Sequence, residues 1–148
     1  MTELTAEPTT GPRYDDIEPG TALPRLTHVI RRGDLVRYAG ASGDLNPIHW
    51  SERAATEAGL PTIIAHGMLT MGVAMRLVSD WAGRQAVLEC GGRFARPVVV
   101  PDDEAGVELV VDGVVAEKLD GSRVRVDLTV RCGGEKVLAR PRAVVALN

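Results

Sequence analysis

The chain has 148 residues, 45% hydrophobic and 25% charged, with a formal net charge of -3. That length suits one domain around one core. The slight acidity, the 3% aromatic content and the lack of a basic cluster with interleaved aromatics argue against a nucleic-acid binder.

Residues 1–13 are rich in Thr, Pro and Glu and read as a flexible N-terminal tail, leaving 14–148 as a single domain. A β-branched run over Thr21–Ile30 predicts a first strand, at an edge or irregular because of Pro24. Asp34–Ala41 predicts a short helix with a weakly signalled start, since Arg31 and Arg32 are poor caps. Ser42-Gly43 stops it and leads into a turn that reaches His49. Ser51 caps a second short helix, Glu52–Ala58, ended by Gly59 and Pro61. Met68–Trp81 is the third and longest helix, apolar almost all round and therefore expected to be buried, with Thr70 and Gly72 small enough for close neighbours.

The remainder is β-rich. Strands are predicted over Ala86–Cys90, Arg93–Val100, Glu108–Lys118, Arg123–Cys132 and Lys136–Ala146. Asp120-Gly121 and Gly133-Gly134 are hairpin turns. Val124, Val126, Leu128 and Val130 alternate with Arg123, Arg125, Asp127 and Thr129, which gives a sheet with one wet face. One long buried helix on one curved antiparallel sheet is an α+β solution. Cys90 and Cys132 lack metal or redox spacing and read as free thiols. The N-terminus does not read as a secretory signal and no segment is apolar enough to span a membrane, so a cytoplasmic setting is expected.

Ser42 to His49 read S-G-D-L-N-P-I-H. Asp44 and His49 can both move protons, and Gly43, Asn46 and Pro47 favour a turn around them. A carboxylate and an imidazole on one short turn can hold a water or a substrate hydroxyl between them. Asn46 and Ser42 are candidates to orient the pair. A second run, Ala65-His66-Gly67-Met68, opens the long helix and puts the Gly67 backbone N–H at its positive end, a candidate oxyanion donor. His66 and Met68 beside it are candidate substrate contacts, although His66 reads more readily as a helix-start structural residue than as a proton carrier. Asp44, His49 and His66 offer three potential metal ligands, where zinc sites need three or four that converge, and no metal is expected.

With Tyr38 before it and Ala55 after it, the S-G-D-x-N-P-x-H run resembles the signature of the (R)-specific enoyl hydratases, or MaoC-like dehydratases. Ala65–Met68 resembles that family's second motif. The resemblance covers about residues 14 to 147. It implies a hot-dog fold, in which a curved antiparallel sheet wraps a long central helix. It also implies acyl-CoA or acyl-carrier-protein thioesters as substrates, no cofactor, and a dimer joined edge to edge. One branch of the family, the two-subunit (3R)-hydroxyacyl-carrier-protein dehydratases, pairs a catalytic subunit with a related subunit lacking the dyad, so homodimer and heterodimer both stay open. Many relatives carry P-V-x-P-G-D-x-L; here Pro97–Gly106 is longer and more acidic, and no substrate contact is inferred there. The alternatives are a hot-dog acyl thioesterase and a non-catalytic acyl-binding partner subunit.

Overall fold

The computed structural model describes residues 11–148. Residues 1–10 of the expected tail lie outside that range; within it, Gly11 already lies against the Ala82 backbone, where a Cβ would meet the carbonyl oxygen at 2.6 Å.

The elements in chain order are β1 (Leu26–Ile30), α1 (Arg32–Ser42), α2 (Glu52–Glu57), α3 (Gly67–Ala82), β2 (Val87–Phe94), β3 (Val107–Leu119), β4 (Arg123–Cys132), β5 (Glu135–Lys136) and β6 (Leu138–Ala146). Short 3-10 turns cover Tyr14–Asp16, Pro47–His49 and Arg84–Ala86. All strand pairs are antiparallel, in the order β1-β3-β4-β6-β2, with β5 beside the end of β4. β1 and β2 are therefore the sheet edges.

Period-2 patterning builds this sheet. Val124, Val126 and Val130 are fully buried and Leu128 nearly so, while Arg123, Arg125, Asp127 and Thr129 between them stay half-exposed. The inner face packs on α3 through Val73, Ala74, Leu77 and Val78. Burying each such Val or Leu contributes about 1.5–3 kcal/mol, so this layer carries most of the fold. The Gly133-Gly134 turn has both residues at positive φ, 57° and 82°, as a two-residue hairpin requires.

Four expectations change. The first strand begins at Leu26, because Pro24 interrupts the chain after an isolated bridge between Ala22 and Val114. α1 begins at Arg32, earlier than expected, because the Asp34 carboxylate accepts from the Arg31 N–H at 2.8 Å and caps the start. The two strands expected at Ala86–Cys90 and Arg93–Val100 are one strand, β2, followed by extended chain with a single bridge from Val99 to Ile64. Gly91-Gly92 does not turn the chain. A Cβ on Gly92 would lie 3.0 Å from Pro141 Cα and 3.1 Å from Met71 Cε, so close approach, not reversal, is what this glycine permits. Lastly, α3 is not buried all round: Met68, Gly72, Arg76 and Asp80 form an exposed stripe, and a Cβ on Gly72 would meet nothing within 4 Å.

Candidate active site

α1 ends at Gly43, whose φ of 76° is left-handed and whose N–H returns to the Ala39 carbonyl at 2.9 Å. The chain then caps its own backbone. Ser42 Oγ accepts from the Asp44 N–H at 3.1 Å, Asp44 Oδ1 from the Asn46 N–H at 3.2 Å, and Asn46 Oδ1 from the Ile48 N–H at 3.3 Å. This succession of Asx-type bonds explains why Ser, Asp and Asn alternate here. Pro47 opens the next turn, and the Trp50 indole N–H straps it by donating to the Leu45 carbonyl at 3.1 Å.

His49 points inward and is 7% exposed. Its Nδ1 lies 2.8 Å from the Ile64 carbonyl. A carbonyl only accepts, so Nδ1 carries the proton and neutral His49 presents a bare Nε2. That Nε2 faces Asp44 Oδ2 at 3.9 Å. The gap is too long for a direct hydrogen bond, and a hydroxyl placed off the line between them reaches both. The two proton-moving groups proposed from sequence thus share one wall.

His66 occupies a different place from the one expected of a substrate contact. It is 1% exposed and lies behind His49, with ring centroids 3.8 Å apart and planes 25° from parallel. Its Nε2–H donates to the Asp44 backbone carbonyl at 3.1 Å, and the Tyr38 ring packs against it at a tilt, centroids 4.8 Å apart. Its Nδ1 is buried without a hydrogen-bond partner. Burial above all, then the nearby His49, holds the His66 imidazole below its ordinary pKa, against the opposing pull of Asp44. A neutral His66 therefore anchors the Asp44 backbone. Ligand atoms of Asp44, His49 and His66 do fall within 4.8 Å of one another. Near-parallel imidazoles aim their in-plane lone pairs side by side rather than at one point, and His66 Nε2 is already bound to a carbonyl, so the set is a poor chelate.

Gly67 is the first residue of α3, so its N–H has no acceptor within the helix. It lines a cavity of about 460 Å³ together with Asp44 and His49. Met68 stands at the same cavity, 60% exposed. A Cβ on Gly67 would meet the Phe94 ring at 2.8 Å, so the absent side chain lets Phe94 lie over the helix start. Sequence reasoning missed the facing wall. Phe94 at the end of β2 and Ala95, Arg96, Pro97 and Val98 after it line the cavity, with Val137 and Leu138 beside them. The only sequence signal was the P-V pair at Pro97-Val98, from which no contact had been inferred.

A long helix wrapped by a curved antiparallel sheet is a hot-dog domain, and here a carboxylate and an imidazole face each other beside the helix start. Residues 16–131 match the MaoC-like domain, and the chain belongs to that family. It is 37% identical over 101 residues to 3-hydroxyacyl-thioester dehydratase X of Mycobacterium tuberculosis, covering 68% of this chain and 34% of that protein. It is 34% identical over 132 residues to 3-hydroxybutyryl-CoA dehydratase of Methylorubrum extorquens, covering 84% of this chain and 78% of that one. A solved MaoC-like dehydratase superposes with a TM-score of 0.88 at 36% identity, over 94% of this chain and 43% of the other. The chain thus spans about a third of the mycobacterial dehydratase and under half of the solved one. No helix among the described residues is long and apolar enough to cross a membrane.

Proposed function

We propose that the chain catalyses (R)-specific hydration of trans-2-enoyl thioesters and, in reverse, dehydration of (3R)-hydroxyacyl thioesters, without a cofactor. One observation carries this reading: the bond from His49 Nδ1 to the Ile64 carbonyl, 2.8 Å, aims a bare Nε2 toward Asp44 Oδ2, 3.9 Å away, on the wall of the cavity that Gly67 also lines. In hydration, a water between the two groups gives one proton to the pair as its oxygen bonds to C3. Electron density moves through C2 onto the thioester oxygen, which the Gly67 N–H and the α3 dipole stabilise. The pair then returns one proton to C2 and the thioester carbonyl re-forms. The substrate gains one water and the protein is unchanged. Both new bonds form on the face toward the dyad, so addition is syn. A donor in the position of the Gly67 N–H typically contributes about 2.7–4 kcal/mol to the transition state.

The working unit in this reading is a dimer, with a second copy or a related MaoC-like subunit. Support comes from β2, an edge strand whose residues 88–94 are exposed, including Leu88 at 53% and Phe94 at 57%. Phe94 also lines the cavity, so a partner along β2 borders the substrate path. The free thiols of Cys90 and Cys132 fit a reducing cytoplasm. The test is incubation with crotonyl-CoA while following the enoyl absorbance and free thiol together. Loss of the enoyl band without thiol release supports the hydratase. Thiol release identifies a thioesterase, and silence from the pure chain and its co-expressed partners leaves an acyl-binding subunit.

A further inference from the structure

Beside the candidate active site lies a second cleft, of about 710 Å³. Ala95, Arg96 and Leu138 line both, so the two concavities share a wall. The second one is strongly basic. Arg96, Arg125, Lys136, Arg140 and Arg142 border it, against the single carboxylate of Asp127. Five cations around one cleft stand out in a chain of net charge -3. Internal pairing does not explain them. Arg125 is held by Glu117 at 2.7 Å and by Asp127 at 3.0 Å, and Arg96 reaches Glu135 at 3.6 Å with both side chains largely in solvent. Among the described residues, Lys136, Arg140 and Arg142 take part in no ion pair.

The backbone adds an independent observation. β2 and β6 pair Gly91 with Arg142 and Arg93 with Ala139, so Gly92 alone opposes Arg140 and Pro141. This is a β-bulge on β6. Arg140 sits in it at a φ of 52°, left-handed backbone in which glycine is the relaxed residue. Bulges re-aim side chains, and strain held at a non-glycine residue is often tied to function. Here Pro141 turns inward, while Arg140 and Arg142 on either side of it are exposed and border the cleft.

We propose that this cleft binds the phosphate groups of coenzyme A, so that the pantetheine arm passes Ala95 and Leu138 and brings the thioester to Gly67 and the dyad. The proposal rests on the hydratase reading of the neighbouring cavity. Arginine forks match phosphate oxygens bidentately. The cleft volume also falls within the range of small-molecule sites, roughly 300–1,000 Å³. Cations set around a recess suit a compact polyanion better than the broad acidic face of a carrier protein.

The experiment has two arms. In the first, calorimetry measures binding of 3′,5′-ADP to the whole chain, the Arg140→Gly variant and the Arg142→Ser variant. Each lost charge-assisted contact should weaken binding about tenfold, and added salt should weaken the wild type. Arg140→Gly relieves the left-handed strain while removing the charge, so its Tm should be no lower than that of the wild type, and weaker binding in it cannot be ascribed to misfolding. In the second arm, the ratio of kcat/KM for crotonyl-CoA to that for crotonyl-pantetheine, which has no phosphate, should fall about tenfold in each variant. Undetectable 3′,5′-ADP binding by the wild type, equal binding by all three proteins, or an unchanged ratio overturns the proposal. So does an arginine-dependent preference for a carrier-protein thioester over crotonyl-CoA. Failure of the active-site reading looks different: 3′,5′-ADP binds as expected while neither thioester is hydrated.

Discussion

Replacing Asp44 by Asn removes the carboxylate charge while keeping nearly everything else. The Asp44 side chain is 49% exposed, so its contribution to the core is small. The amide oxygen of Asn can still accept the Asn46 N–H in place of Asp44 Oδ1, and the Asp44 backbone carbonyl stays under the His66 Nε2–H. The stability change should therefore stay within about 0.5 kcal/mol, as for surface substitutions. Turnover should fall about 10²–10⁴-fold, the usual contribution of a positioned acid or base, because the amide cannot take up a proton at Oδ2. His49→Ala makes a harsher test. His49 is 7% exposed, packs on His66 and satisfies the half-buried Ile64 carbonyl, so its loss also strands that acceptor, at a cost of up to about 1–3 kcal/mol. His49→Gln retains a donor for that carbonyl and isolates the chemistry. Crotonyl-CoA hydration, followed by loss of the enoyl absorbance at matched concentrations of folded protein, reads both. The double variant should be little worse than the worse single one, because the groups act as a unit. A folded Asp44→Asn protein turning over within a few-fold of wild type would remove Asp44 from the reaction.

Gly67→Ala should lower kcat/KM and Gly67→Val should lower it further, since a Cβ there meets the Phe94 ring at 2.8 Å and narrows the approach to the N–H; recovery of Gly67→Ala by adding Phe94→Ala would assign the loss to the ring rather than to the oxyanion donor. His66 is held neutral by burial, so below about pH 6.5 the unfolded chain takes up a proton that the native one refuses. Stability from this group is complete above that pH and is lost as the pH falls toward the depressed folded value; thermal melts of wild type and His66→Phe across pH 5 to 8 should show a shallower acid slope in the variant, and equal slopes would refute the assignment. Light scattering should find a dimer, with Leu88→Lys on β2 shifting it toward monomer. A fully active, concentration-independent monomer near 15.8 kDa would rule the dimer out.

The parts of the site visible in sequence are those built from neighbours in the chain. Ser42, Asp44 and Asn46 each bond to a backbone N–H two residues on, so spacing alone reports the turn. The alternation from Arg123 to Val130 likewise reports a sheet with one buried face. Long-range contacts left no such trace. The role of His66 depends on a bond to Asp44 twenty-two positions away and on stacking with His49. Gly91-Gly92 reads locally as a break between two strands, and only the nearby Pro141 and Met71 explain it as a thin place in a continuous one. The wall formed by Phe94 to Val98 faces Gly67 only once β2 has folded back along the helix.

The two carboxylate oxygens of Asp44 do different work. Oδ1 is tied to the Asn46 N–H at 3.2 Å, while Oδ2 faces His49 across the gap. A proton arriving at Oδ2 and leaving again need not disturb the bond that sets the loop. The backbone carbonyl of the same residue is fixed separately by His66 at 3.1 Å. In the proposed reaction, the bonds that set the loop and the atom that takes the proton are therefore different atoms of one residue. The loop is shaped at the folding stage, once for the life of the molecule, by contacts that a proton at Oδ2 does not occupy.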